Sequence, residues 1–292
     1  MADLWAGIAR AIAVSCGRVW RAGQRRAVGG GSINEAYHVS GEPFDVFVKL
    51  NRADLLPMFE AEIEGLREMA STATIGVPEP ITAGVSEGRA FIAMEYLSLG
   101  GRGDGDRAGR ALAAMHRIHQ TRFGWHRDNT IGSTAQINEP DDDWVTFYRD
   151  RRLRFQYDLA ERNGFGGRLR RDGERLMAEL GVFFQSYQPE PSLLHGDLWA
   201  GNFAYTHDGA PVIFDPACYH GDREADLAMT ELFGGFGGGF RQGYDEQWPL
   251  DPGYSVRKTL YNLYHILNHL NLFGGGYLGQ AETMTSRLLS EL

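Results

Sequence analysis

His195-Gly196-Asp197-Leu198-Trp199-Ala200-Gly201-Asn202, followed after one short segment by Ile213-Phe214-Asp215-Pro216, decides the reading of this chain. A carboxylate, a carboxamide five residues later and a second carboxylate at the end of an apolar strand form the set that metal-assisted phosphoryl transfer requires. One group accepts the proton of the attacking hydroxyl, and two hold a divalent ion. Asp197 is the candidate base, and Asn202 and Asp215 are the candidate magnesium ligands. A Gly-Asp pair alone is a common turn, and Asp often caps a helix. The ordered set, with the apolar strand before its last member, favours catalysis over two turn carboxylates and a loop Asn.

Upstream, residues 44–50 alternate as a strand, with Val46, Val48 and Leu50 on one side and Phe47 and Lys49 on the other. The spacing then predicts a helix over residues 54–70 that presents Phe59, Glu62 and Leu66 on one stripe. A carboxylate on an inward stripe needs a partner. Glu62 is therefore assigned to Lys49, ahead of Glu60 and Glu64, and Lys49 is expected to reach the α and β phosphates of a nucleotide. Gly29, Gly30 and Gly31 lie between a strand ending near Val28 and one through Val39, where backbone amides can approach a phosphate closely; a plain hairpin is the alternative. Strands at 81–85 and 90–94 lead through Glu95-Tyr96-Leu97 into a glycine-rich run over 100–105. In a kinase such a crossover supplies backbone hydrogen bonds to adenine, which makes Glu95 and Leu97 candidate nucleotide contacts; an interdomain linker is the alternative. Leu4, Trp5, Ile8 and Ile12 predict an amphipathic helix that packs as scaffold.

Around the loop, a helix is expected over 107–119 with Leu112, Met115 and His119 on one face, and His116 and His119 read as packing residues rather than metal ligands. Asp141, Asp142 and Asp143 are expected to cap a helical stretch over 144–162, and a further helix over 169–187 precedes the loop. Asp226, at the start of a helix after Asp215, is read as a brace on the loop's backbone amides. A helix over 256–273 is apolar but interrupted by Asn262, His265, Asn268, His269 and Asn271, a face suited to a polar pocket.

The net charge of −9, without a basic run, argues against a nucleic-acid footprint. Cys16 and Cys218 make neither a disulfide framework nor a metal site, which points to a reducing, cytoplasmic setting. The N-terminus does not read as a signal peptide, and no apolar run is long enough to span a membrane.

Together these residues resemble the fructosamine kinase (ketosamine-3-kinase) family, within the fold shared by protein kinases, aminoglycoside phosphotransferases and choline kinases. The resemblance runs from about residue 25 to residue 290. It rests on residues 195–202 with Leu198-Trp199, Phe214-Asp215-Pro216-Ala217, Leu232-Phe233-Gly234-Gly235-Phe236, and Tyr261-Asn262-Leu263-Tyr264 through Leu267-Asn268-His269, all in order. The spacing from Asp197 to Asn202 equals that of the protein-kinase catalytic loop, with Gly196 in place of its Arg. The resemblance implies an α+β, bilobal protein-kinase-like fold: an N-lobe with an antiparallel sheet and helices over residues 1–97, and a larger, mainly helical C-lobe over residues 98–292. It implies ATP and Mg2+ as cofactors and phosphorylation of the sugar 3-hydroxyl of a ketosamine, after which the adduct decomposes and frees the amine. The acceptor is then a small-molecule ketosamine or a glycated protein or peptide, with no nucleic acid and no membrane as partner. Trp199 offers an apolar face for a sugar, or is a core Trp. Some family members carry a cysteine in the glycine-rich loop; Ser32 and Ile33 stand there instead, so redox control through that loop is not expected. The rivals are a kinase of an aminoglycoside, choline-like or other amino-alcohol substrate and a nucleotide-binding scaffold without activity.

Overall fold

The computed structural model describes residues 3–29 and 33–292. Of the glycine-rich stretch, Gly29 lies among the described residues, while Gly30, Gly31 and Ser32 lie outside them. The chain forms two compact units, Met1–Gly103 with Ala204–Pro216, and Asp104–Phe203 with Ala217–Leu292. Asp215 is thus part of the same unit as Lys49, 166 residues away in sequence.

In the first unit, helix α1 (Leu4–Cys16) begins at Asp3, whose carboxylate accepts from the Trp5 amide, and ends at Gly17 in the left-handed conformation. Strands β1 (Arg21–Val28), β2 (Glu35–Glu42) and β3 (Val46–Arg52) lead to helix α2 (Leu56–Ser71), and β4 (Pro80–Ser86) and β5 (Arg89–Glu95) follow. The sheet is antiparallel in the order β1-β2-β3-β5-β4. Its two faces bury different helices. Val46, Val48 and Leu50 pack with Ile8 and Ile12 of α1, whereas Ile92 and Met94 pack with Phe59, Ile63 and Leu66 of α2. The period of two along the strands meets the three- and four-residue stripe of each helix, so alternation alone sorts side chains between them. Lys49 pairs in register with Ile92 and therefore lies on the α2 face. The returning segment forms a hairpin from Phe203–Tyr205 and Pro211–Ile213, and the Ile213 amide donates to Gly76 O at 2.9 Å.

The second unit is mainly helical. Helix α3 (Gly105–His116) is shorter than the spacing predicts: it stops at His116, and His119 lies beyond it with its Nδ1 2.9 Å from Glu190 Oε2. The stretch over 144–162 consists of α4 (Trp144–Phe147), a π turn (Tyr148–Leu153) and α5 (Arg154–Arg162). Asp143 caps it, accepting from the Thr146 amide at 2.7 Å. The π turn carries the buried Arg152, which donates to Asn138 Oδ1 at 2.7 Å and lies 4.2 Å from the Tyr219 ring centroid. The expected helix over 169–187 divides into α6 (Arg168–Ala178) and a tight turn at Leu180–Phe184. Helices α7 (Glu224–Leu232), α8 (Phe240–Gln247), α9 (Tyr254–Phe273) and α10 (Leu278–Leu289) complete the unit. Helices α3 and α8 approach backbone to backbone at Gly109, where a Cβ would stand 2.0 Å from Phe240 O. Arg257 of α9 is locked to Glu224 of α7 by two bonds of 2.7 and 3.0 Å, both side chains being buried. Among the described residues no helix is long and apolar enough to cross a membrane, and neither Cys16 nor Cys218 is in a disulfide.

Of the polar residues of α9, Asn262, His265 and Asn268 are buried, whereas His269 and Asn271 are half-buried. Burial holds His116 and His269 below the ordinary imidazole range, His220 at about 4 and His265 at about 3. Each of these rings binds a proton less readily in the fold than in the unfolded chain, so below about pH 6.5 the unfolded chain takes up more protons and stability decreases as the pH is lowered. His265 alone contributes about 2 kcal/mol of loss at pH 5. Urea midpoints are expected to be lower at pH 5 than at pH 7, with His265→Gln reducing the difference; equal midpoints for the parent protein at both pH values would refute this account.

Candidate active site

Lys49 projects from the middle of β3 and is 4% exposed. Its Nζ donates to Glu62 Oε1 at 2.6 Å and to Asp215 Oδ1 at 2.5 Å. Glu62 reaches it because the inward stripe of α2 passes beneath β3, the geometry its spacing with Phe59 and Leu66 predicts. Burial pushes the Lys49 ammonium down, but Asp215 and Glu62 outweigh it and hold the group charged. Burial pushes the Glu62 carboxyl up, Lys49 opposes this, and the like charge of Asp215 adds to it. Asp215 itself keeps 47% of its side chain exposed and has φ of 59°, a left-handed backbone unusual for a residue other than glycine. Strain of this kind persists where surrounding structure enforces it, often at functional sites.

The loop of the second unit grows out of a buried strand, Ser192–Leu194, paired antiparallel with Tyr219–Gly221. The Ala217 amide donates to His195 O at 2.8 Å, closing the chain against itself. Gly196 follows with φ of 82°, and a Cβ there would stand 2.1 Å from Ala217 O. The backbone therefore leaves no space for the Arg that protein kinases carry at this position. Asp226 of α7 accepts from the His195 amide at 2.7 Å and the Gly196 amide at 2.8 Å, and its Oδ2 lies 3.2 Å from His116 Nε2. His116 Nδ1 lies 2.9 Å from the Tyr244 hydroxyl. Burial pushes the Asp226 carboxyl up, but the hydrogen bond with His116, together with that from the Gly196 amide, brings it below the usual range. Asn202 is buried and donates from Nδ2 to Asp197 O at 2.9 Å and Asp197 Oδ2 at 3.3 Å, so the amide group clamps the carboxylate five residues before it.

Trp199 is 38% exposed, which removes the core-Trp reading. Its ring meets Phe233 edge-on at 6.2 Å, and Phe233 lies 4.9 Å from His269, around which Phe273 and Tyr277 gather at 5.4 and 5.2 Å. Nothing in the spacing of the chain places Phe233 or His269 beside the loop. Their only signal was a large apolar residue before a Gly pair and an imidazole on an apolar helix. Gly29 is exposed at the end of β1. The exposed Glu95 donates its amide to Glu79 O at 2.8 Å, and Leu97 is half-buried beyond Tyr96, whose ring stacks on His38 at 3.7 Å. The acidic run at 222–226 is turned inward: Asp222 accepts from the Tyr187 and Tyr261 hydroxyls, and Glu224 is held by Arg257.

A five-stranded antiparallel sheet carrying a buried Lys–Glu pair, with a helical unit carrying an Asp-x-x-x-x-Asn loop, defines a phosphotransferase of the protein-kinase-like class. Aminoglycoside phosphotransferase APH(4)-Ia has this fold, with a TM-score of 0.61 at 14% identity over 97% of this chain and 98% of that one. The family model for fructosamine kinase matches residues 4–291, and the chain belongs to the fructosamine kinase family. It is 47% identical over 289 residues to a "Probable ketoamine kinase" of Synechocystis sp., covering 98% of this chain and 97% of that protein. It is 44% identical over 270 residues to the chloroplastic protein-ribulosamine 3-kinase of Arabidopsis thaliana, covering 91% and 82%. A crystal structure of a candidate fructosamine-3-kinase from Haemophilus somnus superposes with a TM-score of 0.89 at 28% identity, covering 98% of both chains.

Proposed function

We propose that this chain transfers phosphate from ATP to the sugar 3-hydroxyl of a ketosamine, so that the product decomposes and releases the amine. The observation that carries the reading is the permanently charged Lys49, buried between Glu62 and a half-exposed Asp215. A desolvated ammonium with this support suits the phosphates of a nucleotide, and Gly29, with Gly30 and Gly31 after it, would add backbone amides. Glu95 and Leu97 would meet the base through their backbone. Asp215 and the carbonyl of Asn202 are hard oxygen donors of the kind magnesium takes. The ion, when bound, neutralises charge on the phosphates. Asp197 accepts the proton of the 3-hydroxyl, and Asn202 keeps its carboxylate oriented for that task. Asp226 fixes the loop from behind through two amides. Trp199 and Phe233 present ring surface to the sugar, which is an apolar face flanked by hydroxyls.

The acceptor is a free ketosamine or a glycated peptide or protein, and two cysteines outside any disulfide favour the cytoplasm as the setting. An aminoglycoside, as a polycation, needs outward carboxylates, whereas those at 222–226 are committed to Tyr187, Tyr261, Arg257 and the loop. The test is ADP release with ATP and Mg2+ on a ribulosyl- or fructosyl-lysine peptide, on the unglycated peptide and on kanamycin. Release that depends on glycation is expected; equal release on kanamycin, or none on either glycated peptide, would discard the substrate.

A further inference from the structure

Residues 4–34 contain five of the 29 basic residues of the chain, Arg10, Arg18, Arg21, Arg25 and Arg26, and none of its 38 acidic ones. The rest of the protein is correspondingly acidic, an unfavourable field for a polyanionic substrate. The last two of these arginines are adjacent on β1, both exposed, and strand alternation sends them to opposite faces. The register fixes which faces these are. Arg25 pairs with Val39, and Val39 with Val46, the side covered by α1; the Arg25 guanidinium lies 5.1 Å from the Trp5 ring centroid. Arg26 pairs with His38, and His38 with Phe47, two residues along β3 from Lys49 on the same face. Val28, Ala36 and Lys49 form the neighbouring rung. Among the described residues no carboxylate lies within ion-pair distance of Arg26, whereas His38 beside it is taken by Asp45 at 2.8 Å.

We propose that Arg26 is an additional nucleotide-recruiting residue, an unpaired positive charge on the Lys49 face that draws the triphosphate toward the first unit. Two inter-strand steps separate β1 from β3, about 10 Å, which is about one Debye length at 0.1 M salt. The charge therefore acts on an approaching polyanion while Lys49, committed to two carboxylates, presents little net field. Arg25, one residue earlier, carries the same charge on the other face and is the built-in control. The inference rests on the nucleotide reading given above.

The experiment is stopped-flow association of an N-methylanthraniloyl ATP analogue, in the presence of Mg2+, with the full chain and with Arg26→Gln and Arg25→Gln. Arg26→Gln is expected to lower the association rate constant by about three- to tenfold at low ionic strength and to flatten its salt dependence, with the dissociation rate little changed. Arg25→Gln is expected to stay near the parent. Parent-like rates in both variants would overturn the inference. An equal loss in both would replace it with an effect of net charge. A loss of the same size for the uncharged adenosine analogue would make Arg26 a contact of base or ribose and overturn recruitment by charge. A parent protein that binds no nucleotide would fail the functional reading itself.

Discussion

Asp197→Asn is expected to leave the fold intact and to lower turnover by about 10²–10⁴-fold, the usual contribution of a general base. The substitution keeps the size of the side chain, and Asn202 can still donate to the Asp197 backbone carbonyl at 2.9 Å, so the loop retains its shape. What is lost is the oxygen that Asn202 orients at 3.3 Å, the proposed acceptor of the hydroxyl proton. Nucleotide binding should change little, because Lys49 and Asp215 belong to the other unit. The measurement pairs ADP release with a nucleotide titration. A variant that retained more than about a tenth of the parent rate would remove Asp197 from the role of base.

Asp226→Asn is expected to affect both stability and rate. The carboxylate is 1% exposed and accepts from two loop amides as well as facing His116. An amide in its place points a donor at a donor on one side. Hydrogen bonds to a charged group contribute about 1.5–3 kcal/mol each, so a loss of about 3–5 kcal/mol is expected. Turnover should fall at least about tenfold as Gly196 and Asp197 lose their support. The pH dependence follows from the lowered carboxyl. Stability from Asp226 is present above the ordinary Asp value of 3.8 and is lost as pH falls through the lower folded value, so the variant should lack this acid limb. Urea denaturation at pH 7 and below pH 4, alongside steady-state rates, checks both parts. A variant with parent stability and parent rate would show that the loop holds itself.

Much of this site was legible in the sequence because its signals are local. Glu62 falls on an apolar stripe three and four residues from its neighbours, so one helix period brings it under β3 and to Lys49. Asp143 and Asp226 stand at helix starts, where a carboxylate has backbone donors to serve. The contacts that escaped are those set by distant parts of the chain. Nothing near Asp215 announces that its carboxylate meets Lys49, or that its backbone adopts φ of 59°. The need for glycine at position 196 comes from a carbonyl at Ala217, on the far side of a hairpin-like return. His119 left its predicted helix because α3 ends one turn early, a boundary that propensity does not mark and tertiary pairing with Glu190 decides. Periodicity put Asn262, His265, Asn268, His269 and Asn271 in one reading, but it reports which residues share a side and not what covers them, and the first three are buried.

The discontinuity of the first unit also orders events during synthesis. Its sheet, α1 and α2 are all encoded before residue 104, yet the strand bridging Gly76 and the second carboxylate for Lys49 come only with residues 204–216. At about 5–20 residues per second on the ribosome, the 166 residues between Lys49 and Asp215 take roughly 10–30 s to emerge. For that interval the nascent sheet has Glu62 alone as counter-charge to the Lys49 ammonium, and the charge balance of the cluster is settled only after residues 195–202 have already left the tunnel.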